Sequence, residues 1–434
     1  MAAGVLHDVS LGYQLLWNAQ RQPDQVWLTL EPHAGQVVNT NFLLASLATQ
    51  WSADQPIGLT LSTRSAALLA DLLDQTHPSL ARVEVADTLL ANPAIAQRVV
   101  RARQRGLPLV WRGEPGAHIQ PAHAPNFAQT LLSLSPEDTL QHLRQQRIQA
   151  KAGAPSAGQS SVFSPGTLLD GVANAGLLDY FLKQAGVSGL LGWPCEDVLF
   201  ACRQTRAQPS WHALQGLIAL IQADAAMEDV AAALSQEPVL VYRFLRYANS
   251  AALGLNRDIT ALRHGLMVLG LGRLKTWLQD QLPHACKDLN LLPIATLMVI
   301  RARFMTELLD AGAASALQHE LQLCGLLSQI DLLTGEPLQQ ALHTIPLPER
   351  VNAALLSHSG PYWPYLDIAN AFETGQVQAT REACQRHGMD EEDAHLALLR
   401  TLRALRATPV KPSPCLRPPA PARQSHPRAH PSLH

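Results

Sequence analysis

The sequence predicts a multidomain chain in which a mixed α/β domain is followed by an all-helical one. Three observations lead there. The chain has 434 residues, 47% of them apolar, which is enough material for more than one core. Short apolar segments alternate with helix-like stretches in its first part. Beyond Pro209, strand signals give way to apolar residues at helical spacing.

The α/β part rests on segments such as VWLTL and IGLTL, which alternate from Val26 to about Val110 with stretches such as RSAALLADLLDQT. That is the rhythm of repeating β-α units. Residues 149–165 (QAKAGAPSAGQSSVFSP) are rich in Ala, Gly, Ser and Pro and read as a flexible insertion. From Pro209 to about Arg406 the period is helical, with Leu240, Phe244, Tyr247, Ala248 and Ala251 on one face. Ser235 and Pro238 mark the start of that helix, and Gly254 and Asn256 its exit. A second stripe, Ile259, Leu262, Leu266 and Leu269, is broken by Gly270 and Gly272 and restarts at Leu274, Trp277 and Leu278. The Pro- and His-rich residues 409–434 have too little apolar content to bury a core and are expected to be disordered.

Charge and cysteine usage narrow the function. The formal charge is -2 and no block of like charges appears, so the electrostatic footprint of a nucleic-acid binder is missing. Six cysteines (Cys195, Cys202, Cys286, Cys324, Cys384, Cys415) contain no CxxC pair, which argues for free thiols in a reducing cytoplasm over a disulfide framework or zinc ribbon. The first residues lack a basic segment ahead of an apolar core, and the apolar run Leu291 to Ile300 is too short to span a bilayer. A soluble cytoplasmic protein with no membrane partner is the expectation. Among the histidines, His264, His284, His319, His343 and His358 have neither HExxH spacing nor a carboxylate doublet, so no metal and no cofactor is expected.

The ordered set Glu237-Pro238-Val239-Leu240, Phe244 to Ala251, Gly254, Ile259 and Leu269-Gly270 resembles the opening of HDOD domains. The resemblance continues through Phe304-Met305-Thr306-Glu307, Cys324 to Asp331 and Ala353 to Leu356, and covers roughly residues 205–390. It implies an all-α fold in which Pro238, Asn249, Ser250 and Gly270 are chiefly structural. Hydrolytic relatives in the HD superfamily carry a His-Asp doublet that binds divalent metal and activates water. The matching positions here are Ser328 and Gln329, and the chain's only His-Asp doublet, His7-Asp8, lies elsewhere.

The N-terminal residues 1–202 resemble the EAL cyclic-di-GMP phosphodiesterase barrel, which implies a degenerate, shortened TIM-type fold. Leu11 to Trp17 looks like its first signature, with Gln14 where active members have a metal-binding glutamate. Val83-Glu84-Val85 resembles a later ligand strand; Leu109 to Gly113 stands where an aspartate pair is expected, with Trp111 and Arg112 at the critical positions. Asp170 lies in a segment that resembles the last acidic strand, and Gly189 to Pro194 resembles the closing signature. A neutral amide cannot supply the negative charge that holds a divalent cation there, and a guanidinium would repel one.

The expected function is a non-catalytic signal-transduction scaffold that acts by binding other signalling proteins. The alternatives are a cyclic-di-GMP sensor and a residual metal-dependent phosphodiesterase or phosphohydrolase. Two further surfaces are candidates for contact: a basic neighbourhood of Arg243, Arg246, Arg257, Arg263 and Arg273, suited to an acidic partner or nucleotide, and the aromatic segment Tyr362, Trp363, Tyr365. The last serves equally as a buried aromatic corner. Helix-turn-helix-like corners at Gly270 and Gly272 are the only support for a DNA-binding reading.

Overall fold

The computed structural model describes residues 6, 8–51, 57–115, 117, 119–141, 144, 163–164, 166–184, 187–202, 208–253, 258–309 and 314–405. His7, Gly254, Asn256, Arg257, most of 149–165 and all of 409–434 lie outside them.

Eight strands close a barrel in chain order: β1 (Val9–Trp17), β2 (Pro23–Pro32), β3 (Gly58–Ser62), β4 (Arg82–Ala86), β5 (Leu109–Gly113), β6 (Gln129–Ser133), β7 (Thr167–Asp170) and β8 (Gly189–Leu191). Neighbours from β2 to β8 run parallel, whereas β1 is antiparallel to both β2 and β8. Parallel pairs need crossovers. These are α1 (Thr40–Gln50), α2 (Ala66–Gln75), α3 (Asp87–Leu90) with α4 (Pro93–Gln104), and α5 (Ala175–Asp179); α6 (Cys195–Cys202) follows β8. Their starts are capped by side chains as the sequence dictates: Asn39 Oδ1 accepts from Phe42 N, Ser65 Oγ from Leu68 N, and Asn92 Oδ1 from Ala94 N beside Pro93. The expected shortening falls on the helical coat and not on the strand count, since the described part of the β5–β6 connection carries only a 3-10 turn, Ala124–Asn126.

The barrel is filled by Leu16, Trp27, Val110, Leu131, Leu168 and Leu191, one each from six strands. Its outer face belongs to a second, much larger core that runs from Leu6 through the barrel helices into the helical half and ends at Leu402.

That half is α7 (Trp211–Gln222), α8 (Met227–Leu234), α9 (Pro238–Ala248), α10 (Leu262–Gln281), α11 (Leu292–Glu307), α12 (Ser315–Leu327), α13 (Ile330–Thr334), α14 (Leu338–His343), α15 (Glu349–Ser357), α16 (Trp363–Glu373), α17 (Val377–His387) and α18 (Glu391–Arg403). Pro238 opens α9, but Ser235 does not cap it: Ser235 ends α8, where its hydroxyl donates to Ala232 O. Asn249 closes α9, its amide donating to Leu245 O and Ile259 O at 2.8 and 2.9 Å while its oxygen accepts from Ile259 N at 2.8 Å; Ser250 Oγ donates to Tyr247 O at 2.7 Å. Gly270 kinks α10, at φ 74° and ψ 157°.

The apolar run read as ending at Ile300 belongs to a longer helical stretch, Leu289–Glu307, which at 19 residues is long and apolar enough to cross a membrane by length and composition. In the structure it is the central helix of this half: α11 buries nine residues, including Arg301, and meets α12 closely. A Cβ on Gly325 of α12 would lie 2.4 Å from Ala302 Cα.

β1 joins the halves. Its pairing with β8 is limited to Leu16 and Trp17, so the earlier part of that edge has no strand beside it. The C-terminal helices cover it instead. Leu11 N donates to His395 Nε2 at 3.1 Å, and the other ring nitrogen donates to Leu6 O at 3.2 Å, which fixes a neutral imidazole. Beside it, Ser10 Oγ accepts from Arg381 at 2.9 Å, contacts His33 Nε2 at 2.8 Å and donates to Glu391. At the far end, Arg21 donates to Asn290 Oδ1 at 3.1 Å and pairs with Asp179, while Trp193 Nε1 donates to Asn290 O at 3.1 Å.

Burial, only partly offset by Glu391, lowers His395 to about 4. Its contribution to stability is complete above the unfolded histidine value of 6.5 and is lost as the pH falls from there to about 4. The buried Glu237 carboxyl, pushed up to about 7 by burial, acts oppositely: its contribution is present below 4.5 and lost as the pH rises to 7. Comparing wild type with His395→Gln cancels the Glu237 effect. Over pH 6.5 to 4 the wild type should lose stability relative to the variant by up to about 1.4 kcal/mol per pH unit, read from denaturant melts. A second expectation concerns packing: Gly325→Val should destabilise by at least ~1–3 kcal/mol in the same melts, because it overpacks the α11–α12 crossing.

Candidate functional site

Inward-facing polar side chains meet at the ends of β3 to β7. Glu84 of β4 lies at the centre and is 5% exposed. Its Oε1 accepts from Ser62 Oγ at 3.0 Å, and its Oε2 accepts from Trp27 Nε1 at 2.5 Å. From β5, Arg112 reaches three partners: Glu84 at 3.4 Å through Nη1, Ser133 Oγ at 3.0 Å through Nε, and Asp170 of β7 through Nη2. The guanidinium therefore bridges the two acidic side chains at this end of the barrel.

Strand alternation explains the placement of the neighbours. Trp111 points the other way from Arg112, is 1% exposed, and donates to Asp87 Oδ1 at 3.1 Å. Its ring lies over Gly113, where a Cβ would fall 2.1 Å from it. Gln14 stands across from Trp27 in the β1–β2 ladder and is exposed. Among the described residues no hydrogen bond links Gln14 to Glu84, Arg112 or Asp170. The structure thus brings together Glu84, Arg112 and Asp170, leaves Gln14 apart and turns Trp111 outward. Trp27, Ser62 and Ser133 were not singled out in the sequence. The period-2 pattern of VWLTL is the signal that places Trp27 inside.

A divalent cation does not fit this arrangement. Both carboxylates are already engaged by Arg112, which offsets one of their two negative charges, and an approaching cation meets its positive charge. Among the described residues no group of three His, Cys, Asp or Glu side chains is placed to hold a metal ion.

The second predicted position also lies beside a guanidinium. Ser328 ends α12, where its hydroxyl donates to Gly325 O at 2.8 Å and accepts from Arg301 Nη1 at 2.6 Å. Gln329 is the half-buried residue that precedes α13. Arg301, 2% exposed, is clamped by Glu373 of α16 through Nε–Oε1 at 2.7 Å and through Nη2–Oε2. Tyr13 of β1 is buried against this pair; burial first, then the Glu373 charge, pushes its phenol up. Burial also pushes the Cys324 thiol up to about 12, with Arg301 opposing. A buried thiol of this kind is unreactive.

The aromatic segment resolves as a corner. Tyr362 is 3% exposed, donates to Glu320 Oε2 at 2.9 Å and lies under the Arg350 guanidinium, which removes it from the contact surface expected of it. Trp363 stacks on His358, with ring centroids 4.5 Å apart, and Tyr365 is half-buried.

Comparison with known proteins now bears on the helical half. Residues 211–334 match the HDOD domain family. This segment is an HDOD domain. The chain is 25% identical over 170 residues to the cyclic di-GMP phosphodiesterase CdgJ of Vibrio cholerae, covering 39% of each chain. It is also 25% identical over 170 residues to the uncharacterized protein YuxH of Bacillus subtilis, covering 38% of this chain and 40% of that one. The chain spans about two fifths of the length of these curated relatives. Among solved structures, a virulence factor of Campylobacter jejuni shares 15% identity at a TM-score of 0.35, covering 48% of this chain and 99% of that one. The EAL-like domain protein YdiV shares 15% at 0.29, covering 43% and 92%.

Two outcomes follow for the arginines. Arg112→Ala uncovers Glu84 and Asp170, so millimolar magnesium should raise the melting temperature of the variant and leave the wild type unchanged, by differential scanning fluorimetry. In the helical half, Arg301→Met or Glu373→Gln should each cost ~3–5 kcal/mol in denaturant unfolding, and the double Arg301→Met/Glu373→Met less than their sum.

Proposed function

We propose that the chain is a non-catalytic signalling protein of the EAL-HDOD type, with an EAL-like domain at 1–202 and an HDOD domain at 205–390, that acts by binding other proteins in cyclic-di-GMP signalling. The observation that carries the reading is the Arg112 guanidinium between Glu84 and Asp170. A phosphodiesterase of this kind needs a metal-activated water beside the phosphate, and here a fixed organic cation takes the place of the ion. Arg301 does the same beside Ser328 in the helical half. The matched segment of the phosphodiesterase CdgJ supports the signalling context. A fold can keep its core and surfaces when the charged ligands of an ancestral site are replaced. The free thiols of Cys195, Cys286, Cys324 and Cys384 suit a reducing cytoplasm.

The test is isothermal titration of the full chain with cyclic-di-GMP, with and without magnesium or manganese, followed by chromatography of the nucleotide. The expected result is intact nucleotide under every condition. Binding heat with intact nucleotide would add second-messenger sensing to the scaffold role, whereas metal-dependent breakdown would overturn the proposal.

A further inference from the structure

Outside the two arginine-held sites, the HDOD half carries a cleft of about 340 Å³ between α9, α10 and the turn that follows α13. Small-molecule sites occupy roughly 300–1,000 Å³. The cleft is lined by chemistry of two kinds, and each is held in place.

The first is positive charge. Arg243 and Arg246 are three residues apart on α9 and so share one face of it. Arg243 Nη1 donates to Gln281 Oε1 of α10 at 3.1 Å. The Arg246 guanidinium lies 5.5 Å from the centre of the Tyr242 ring and donates to its hydroxyl at 3.4 Å, while that hydroxyl donates to Ala341 O at 3.3 Å. Arg246 is nonetheless exposed. The second is an aromatic surface. Tyr247 stacks on Trp277 with centroids 5.5 Å apart and planes within 16°, and Phe244 meets Trp277 edge-on at 5.8 Å from behind. Glu336, directly after the left-handed Gly335, adds an acceptor to the lining.

We propose that this cleft binds a nucleoside monophosphate, with the phosphate held by Arg243 and Arg246 and the base extending the Tyr247–Trp277 stack. Two guanidiniums beside one carboxylate leave an excess of positive charge suited to a phosphate, and planar donors match its oxygens in pairs. A stacked aromatic pair next to that charge favours a flat ring on the same ligand. The Gln281 amide supplies a hydrogen-bonding group for the edge of a base. The site is separate from the barrel and stands whether or not the barrel binds anything.

The experiment is calorimetric titration of the full chain with GMP and AMP, and with guanosine and inorganic phosphate as separate probes. At least one monophosphate should bind tenfold or more tightly than either probe. Arg246→Ala, at an exposed position, should weaken that binding at least tenfold with an unchanged melting temperature. Arg246→Lys, which keeps the charge but not the planar donors, should fall between. Absence of heat at millimolar nucleotide, equal affinity for inorganic phosphate, or undiminished binding by Arg246→Ala would each overturn the proposal.

Discussion

The structure depends most on the Arg301–Glu373 ion pair, because it lies where three elements meet: α11, α16 and the outward face of β1. Removing two charges from water costs several kcal/mol per ion, and only close geometry with further hydrogen bonds offsets it. Here the geometry is two-pronged and Ser328 takes the remaining donor. Tyr13 of the barrel wall is buried within reach of the pair's charges. The pair contributes less by its net energy than by allowing one arrangement of α11 against α16, since any slippage leaves a buried charge without its partner.

A guanidinium tied to carboxylate partners recurs in both halves. Arg112 fixes the distance between β4 and β7 through Glu84 and Asp170, as Arg301 fixes that between α11 and α16. A covalently attached cation is always present and always charged. Its site is therefore held without an exchangeable component, and the fold around it does not vary with metal supply. The same permanence keeps a positive charge between Glu84 and Asp170.

What was legible in the sequence follows the range of the interactions. Pro238 at the start of α9, the break at Gly270 and the alternation in VWLTL are local features with local causes, and the sequence announces them. Glu84, Arg112 and Asp170 were recognisable because each sits in a short strand segment with its own pattern. Nothing local announces that Arg301 pairs with a residue 72 positions away, or that His395 caps the Leu11 amide 384 positions away. Ser235 misled because a small polar residue before Pro238 suits the start of one helix and the end of another equally well. Tyr362 stayed open because a Pro-flanked aromatic cluster has the same composition exposed or buried, and only the position of Glu320 decides.

These contacts make β1 the element through which the halves communicate. Along four consecutive residues, the Leu11 amide meets His395 of α18, Gly12 and the Gln14 side chain lie by the Gly375 turn, and Tyr13 is buried between them. A Cβ on Gly12 would stand 3.1 Å from Gly375 O, so the strand and the α16–α17 turn are as close as their backbones permit. Farther along, Arg21 and Trp193 hold Asn290 just ahead of α11. A strand tied at several points to one helical assembly cannot shift at one without straining the others, because a packed interior has few intermediate arrangements. The barrel and the helical half are thus tied together at β1, and a shift of that strand would strain the contacts on both sides of it.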